Sequence, residues 1–75
     1  MSDSYRHYLQ DLVFLIAENS LSAKRDMALS TSEYDTGRLM AYYEVLSMFR
    51  QQAVAFGISL DEFGLDKVDP DKDLL

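Results

Sequence analysis

Cysteine is missing from this 75-residue chain, and histidine occurs once. The first absence excludes disulfides and thiolate metal sites. The second rules out a multi-histidine site within one chain. Bases are scarce: seven Lys and Arg face thirteen Asp and Glu, giving a formal charge of −6 and a pI near 4.4. From residue 57 onward there are six acids and two bases, so −4 of that charge sits in the last quarter of the chain. Nucleic-acid binding relies on Lys and Arg neutralising phosphates, so this balance disfavours it, as it disfavours anionic membrane surfaces. Long apolar runs are also lacking. The longest, residues 12–17, falls far short of the roughly 20 residues that span a bilayer. It follows Asp11 rather than a basic leader, so no signal peptide is expected and a cytoplasmic location is. No glycine-rich phosphate loop and no paired-histidine motif occurs, and no context marks a Ser–His–Asp nucleophile. The expectation is a protein that is not an enzyme and holds no cofactor or metal.

What is present is helical periodicity. In residues 35–56, Leu39, Tyr42, Leu46, Phe49, Ala53 and Phe56 are spaced 3, 4, 3, 4, 3, with Val45 at the edge. At about 100° per residue they form one apolar stripe. The opposite side carries Gly37, Ala41, Glu44, Met48, Gln51 and Ala55, mostly small or apolar. A helix with a second such stripe is usually contacted on more than one side. This stripe is the expected homodimer interface.

A first helix is expected over 4–28, with Ser2, Asp3 and Ser4 as possible N-caps. Its inward series reads Tyr5, Leu9, Leu12, Ile16, Asn19, Ala23 and Met27, with Tyr8 and Leu15 beside it. Asn19 interrupts that seam. It reads as a partly wet position, with symmetric pairing across a dimer as the alternative. On the outer face Phe14 and Leu21 lie seven residues apart, accompanied by His7, Gln10 and Arg25. A small apolar patch of this kind can mark a contact, so these five residues are the expected partner-binding set.

Residues 30–37 form the only break between the helices, rich in small hydroxyl residues that favour turns. Ser30 with Glu33 has capping-box spacing, Asp35 is an alternative cap, and the second helix starts between Thr31 and Thr36. An early start places Gly37 inside the helix, which close approach of another helix backbone would explain. Gly57 is placed to end that helix. Ser59 and Glu62 then form a capping-box pattern for a short helix over 60–63, with Ile58 and Phe63 spaced as a staple and Gly64 as the stop. Residues 66–75 read as an acidic flexible tail beyond a single helical domain at 1–65. Asp69, Asp71 and Asp73 alternate like the start of a calcium loop, but Leu74 replaces its glycine and no bidentate Glu follows.

Two long helices joined by a short polar segment form an antiparallel hairpin. The layout of residues 4–56 resembles the Rop type of helical hairpin, in architecture rather than in motif. The resemblance implies a dimeric four-helix bundle and binding of paired RNA loops through polar, basic and Phe side chains. His7, Gln10, Phe14 and Arg25 make a loosely similar set, while the acidic balance and the extra C-terminal turn depart from it. A single core below roughly 70–80 residues rarely supplies more than about 3–5 kcal/mol, which also points to oligomerisation. The reading is therefore an all-α hairpin with a short third helix, dimeric, serving as adapter or regulator of a protein partner. An RNA-binding regulator is the alternative.

Overall fold

Two long helices pack against each other, and shorter helical turns run back across one side of the pair. The computed structural model describes residues 3–30 and 32–75. Helix α1 is Asp3–Leu29 and helix α2 is Glu33–Ala55. A 3-10 helix follows at Leu60–Phe63 and a π-helical turn at Pro70–Leu74. Among the described residues there is no strand. Ser2, an expected cap of α1, and Thr31, the earliest expected start of α2, lie outside the described residues.

The start of α2 is fixed by Ser32. Its hydroxyl accepts the Asp35 N–H at 3.1 Å and donates to the Asp35 carboxylate at 2.8 Å. This reciprocal cap satisfies an orphan amide of the first turn. It sits two residues beyond Ser30, and Asp35 is its partner rather than a cap itself. Gly37 consequently lies inside α2. Gly57 (φ 69°) and Gly64 (φ 77°) take the left-handed conformation that ends α2 and the 3-10 helix. The expected Ser59–Glu62 side-chain box does not form. The element is a single 3-10 turn, in which the Glu62 amide bonds the Ser59 carbonyl at 3.0 Å. The Ser59 hydroxyl donates instead to the nearer Asp61 carboxylate.

α2 buries Leu39, Leu46 and Ala53, and half-buries Tyr42 and Phe49. Phe56, expected to complete that stripe, is 76% exposed, because α2 ends at Ala55 and the chain turns away at Gly57. On α1 the expected inward series is met in part: Ala23 is buried, and Leu9, Ile16 and Met27 pack against the core. Val13, Ala17, Ser20 and Ala23 are buried, while Tyr5 and Asn19 are exposed and Leu12 is half-buried. α1 is apolar on two sides, and α2 packs on the side with small residues, where helix axes approach closely. Ser20, with no exposed surface, donates to the Ala17 carbonyl at 2.7 Å, so its burial orphans no polar group.

The largest correction concerns residues 66–75, which are not a solvated tail. Val68, Pro70 and Leu74 are buried, Leu74 completely. Leu74 and Val68 join Leu39, Leu46, Ala17 and Ala23 in one cluster; Phe63 and Leu65 join Val13 and Ala53 in a second. The acids between these anchors point outward, bond the hairpin or, as Asp73 does, cap the segment's own backbone. Arg50 donates to the Val68 carbonyl at 3.2 Å and pairs with Asp69 at 3.6 Å, and Tyr43 donates to Asp71. Sparse apolar residues among aspartates thus suffice, because α1 and α2 together offer a preformed floor.

Candidate interaction surfaces

The C-terminal segment covers only one side of the hairpin. It is tied to α1 by Gln10, whose Nε2 donates to the Glu62 carbonyl at 3.1 Å, and by Lys24, which donates to the Leu75 carbonyl at 3.4 Å. Its ties to α2 are Tyr43 and Arg50. The opposite side is marked by the Asp26–Arg38 ion pair at 2.8 Å, with the Arg38 guanidinium 5.8 Å from the Tyr42 ring centre. Reading back from Asp26, α1 presents Asn19, Leu15, Leu12, Tyr8 and Tyr5 on that side, spaced as heptad seam positions. Reading forward from Arg38, α2 presents Ala41, Val45, Met48 and Gln52, with Phe56 following as its C-cap. Tyr5, Tyr8, Leu15, Met48 and Phe56 are exposed, and Leu12 and Val45 are half-buried. Apart from the mutually paired Asp26 and Arg38, neither stripe carries a charge. In a chain of net charge −6, this open face is neutral.

Gly37, Ala41, Glu44, Met48, Gln51 and Ala55, expected as the dimer interface, are all exposed. They lie along the back of α2, and only Ala41 and Met48 also belong to the open face. A Cβ built on Gly37 meets nothing within 4 Å, so no helix backbone of this chain approaches it. Gly37→Ala should therefore stabilise the protein by about 0.5–1 kcal/mol, by the difference in helix propensity. Thermal denaturation checks this; a loss of stability would mean that another backbone does pack on Gly37.

The expected partner-binding set is divided. Gln10, Phe14 and Leu21 line one groove of about 510 Å³ between α1 and the chain at 61–68. His7 is exposed in a shallow depression nearby, and Arg25 is exposed outside both. The far wall of the groove, with Asp61, Glu62, Phe63, Lys67 and Val68, was not foreseen, because those residues read as cap and tail. A second groove of about 600 Å³ lies on the other flank of the C-terminal segment, between Tyr43, Ser47 and Arg50 of α2 and Asp69–Asp71.

The aspartates with calcium-loop spacing are engaged elsewhere. Asp69 accepts the Asp71 N–H at 3.1 Å, Asp71 accepts the Tyr43 hydroxyl, and Asp73 accepts the Asp69 N–H at 2.8 Å. Among the described residues no group of three His, Cys, Asp or Glu is arranged to hold a metal ion. The bond to the Asp71 carboxylate, followed by partial burial, pushes the Tyr43 hydroxyl above its ordinary value near 10. Since the folded value is raised, the stability this bond contributes is present below the unfolded value. It is lost as pH rises through the folded one. No helix among the described residues is long and apolar enough to cross a membrane. Comparison with protein families, with curated proteins and with solved structures gives no match.

Proposed function

We propose that this chain is a non-catalytic interaction module whose hairpin pairs with a second copy through the open face, making a four-helix bundle that serves a protein partner as adapter or regulator. The observation that carries this reading is the neutral apolar face running from Tyr5 and Phe56 to the Asp26–Arg38 pair. The molecule measures 42 by 22 by 16 Å, so a contact along its length engages both long helices. Two acidic chains can meet there without opposing like charges, which elsewhere on the surface would cost affinity. The C-terminal segments would remain outside the bundle. Asn19 then occupies a seam position, where a single polar residue can set register at some cost in stability.

Binding of structured RNA, which the Rop-type layout implies, is less well supported. The groove that holds Gln10 and Phe14 is framed by the carboxylates of Glu18, Asp61 and Glu62, which repel phosphate. An electrophoretic mobility shift with mixed structured RNA at physiological salt separates the two readings. A cytoplasmic location belongs to the proposal and is checked by fractionating cells that express the tagged chain.

The pairing is tested by sedimentation equilibrium at tens of micromolar. Wild type should weigh twice the 8.6 kDa chain. The double variant Leu15→Glu, Met48→Glu should be a folded monomer, because both side chains are exposed in the single chain. A monomeric wild type ends the proposal; a dimer indifferent to the double variant places the contact on another surface.

A further inference from the structure

The groove between α1 and residues 61–68 faces away from the open face, so it stays accessible whether or not two hairpins pair. Its floor is apolar. Phe14 is 58% exposed, Leu21 is half-buried, and the buried Phe63 and Val68 reach it from the other wall. Phe14 and Leu21 are two helical turns apart on α1, a span of about 10 Å. That length takes two apolar anchors of an incoming helix one turn apart.

The rim decides the charge of the occupant. It carries the carboxylates of Glu18, Asp61 and Glu62 against one amine, Lys67. Arg6 lies 3.6 Å from Glu62 and partly neutralises it. Glu18 and Asp61 have no ion-pair partner among the described residues. An apolar floor under uncompensated carboxylates is complementary to an apolar helix face flanked by Lys or Arg. We infer that this groove docks a basic amphipathic helix of a protein partner, with apolar anchors between Phe14 and Phe63 and cationic side chains on Glu18 and Asp61.

This inference names the partner surface of the interaction module proposed above and needs the module reading, but not the pairing. The probe is a short synthetic helix of Leu and Lys with one apolar face, compared with its Leu and Glu counterpart. Backbone amide shifts of the labelled full chain report where it lands. The expected result is saturable binding of the Leu–Lys helix alone, with shifts centred on Phe14, Leu21, Phe63 and Val68. Phe14→Ala and the double reversal Glu18→Lys, Asp61→Lys should each weaken it about tenfold. A control reversal on α2, Glu33→Lys with Glu44→Lys, should leave it within about twofold. Shifts centred on Tyr8, Leu15 and Met48, equal binding of the Leu–Glu helix, or equal weakening by the control reversal would each overturn the assignment. Melts of every variant show that the fold is kept; should the double reversal unfold, Phe14→Ala decides alone. Loss of the dimer in sedimentation with groove binding intact would refute only the pairing. A dimer with no groove binding would refute only this inference.

Discussion

Leu46→Ala should cost about 2–5 kcal/mol, most of the stability a chain this small can have. Leu46 is 2% exposed at the middle of α2, packed in the cluster that also contains Ala17, Ala23 and Leu39. On the α1 side the cluster holds Ala17 and Ala23 with Ile16, Leu21 and Met27 packed against it, and how far these can close on the vacated space sets where in that range the loss falls. For a domain of this length one kcal/mol corresponds to roughly 4–8 °C, so the melting temperature should fall by at least about 8 °C. Circular dichroism against temperature and against urea reads it. A fall of only a degree or two would show that the core is not centred on this residue.

Deleting residues 66–75 should be as damaging. The deletion removes Leu74, with no exposed surface, together with Val68 and Pro70. Fully burying one such aliphatic side chain contributes about 1.5–3 kcal/mol, and two of them account for about 3–6 kcal/mol before any exposure of the floor beneath. Leu74→Ala in the full chain isolates the anchor, with an expected loss of about 2–5 kcal/mol. Tyr43→Phe, which removes only the hydroxyl bonded to Asp71 at the exposed surface, should cost far less than Leu74→Ala. That order identifies apolar burial, not the polar ties, as what holds the segment. A deletion that melts like the full chain would mean that the segment is solvated after all.

The hairpin itself could be read from residue spacing. Leu39, Leu46 and Ala53 are buried as their periodicity indicates, and Gly57 and Gly64 take the left-handed turns that their positions suggest. α1 was harder because it has two apolar sides. A seam through Tyr5, Leu9, Leu12, Ile16, Asn19, Ala23 and Met27 holds the larger residues, and of these Ala23 is buried while Leu9, Ile16 and Met27 pack against the core. Val13, Ala17 and Ser20 are buried in place of Tyr5, Leu12 and Asn19, since close packing of two helices selects small side chains over hydrophobic ones. The signal was available in the Ala-x-x-Ser-x-x-Ala spacing of Ala17, Ser20 and Ala23. The packing of residues 66–75 is not legible in composition for a different reason. Composition averages four aspartates against a few apolar residues, whereas burial depends on what lies underneath, and that floor exists only once α1 and α2 are paired. The same holds for the groove, whose far wall comes from a segment distant in sequence.

The C-terminal segment also sets an order of assembly. The hairpin closes over short separations, such as the twelve residues between Asp26 and Arg38. The segment closes over longer ones: 18 residues from Arg50 to Val68, 28 from Tyr43 to Asp71 and 51 from Lys24 to Leu75. Loop-closure entropy rises with separation, so the hairpin forms first. A chain made from its N-terminus also completes α2 before residues 66–75 emerge from the ribosome. During that interval both broad sides of the hairpin are bare, the open face and the floor that Val68 and Leu74 later cover. The nascent hairpin therefore exposes more apolar surface than the folded chain, until Val68 and Leu74 cover that floor.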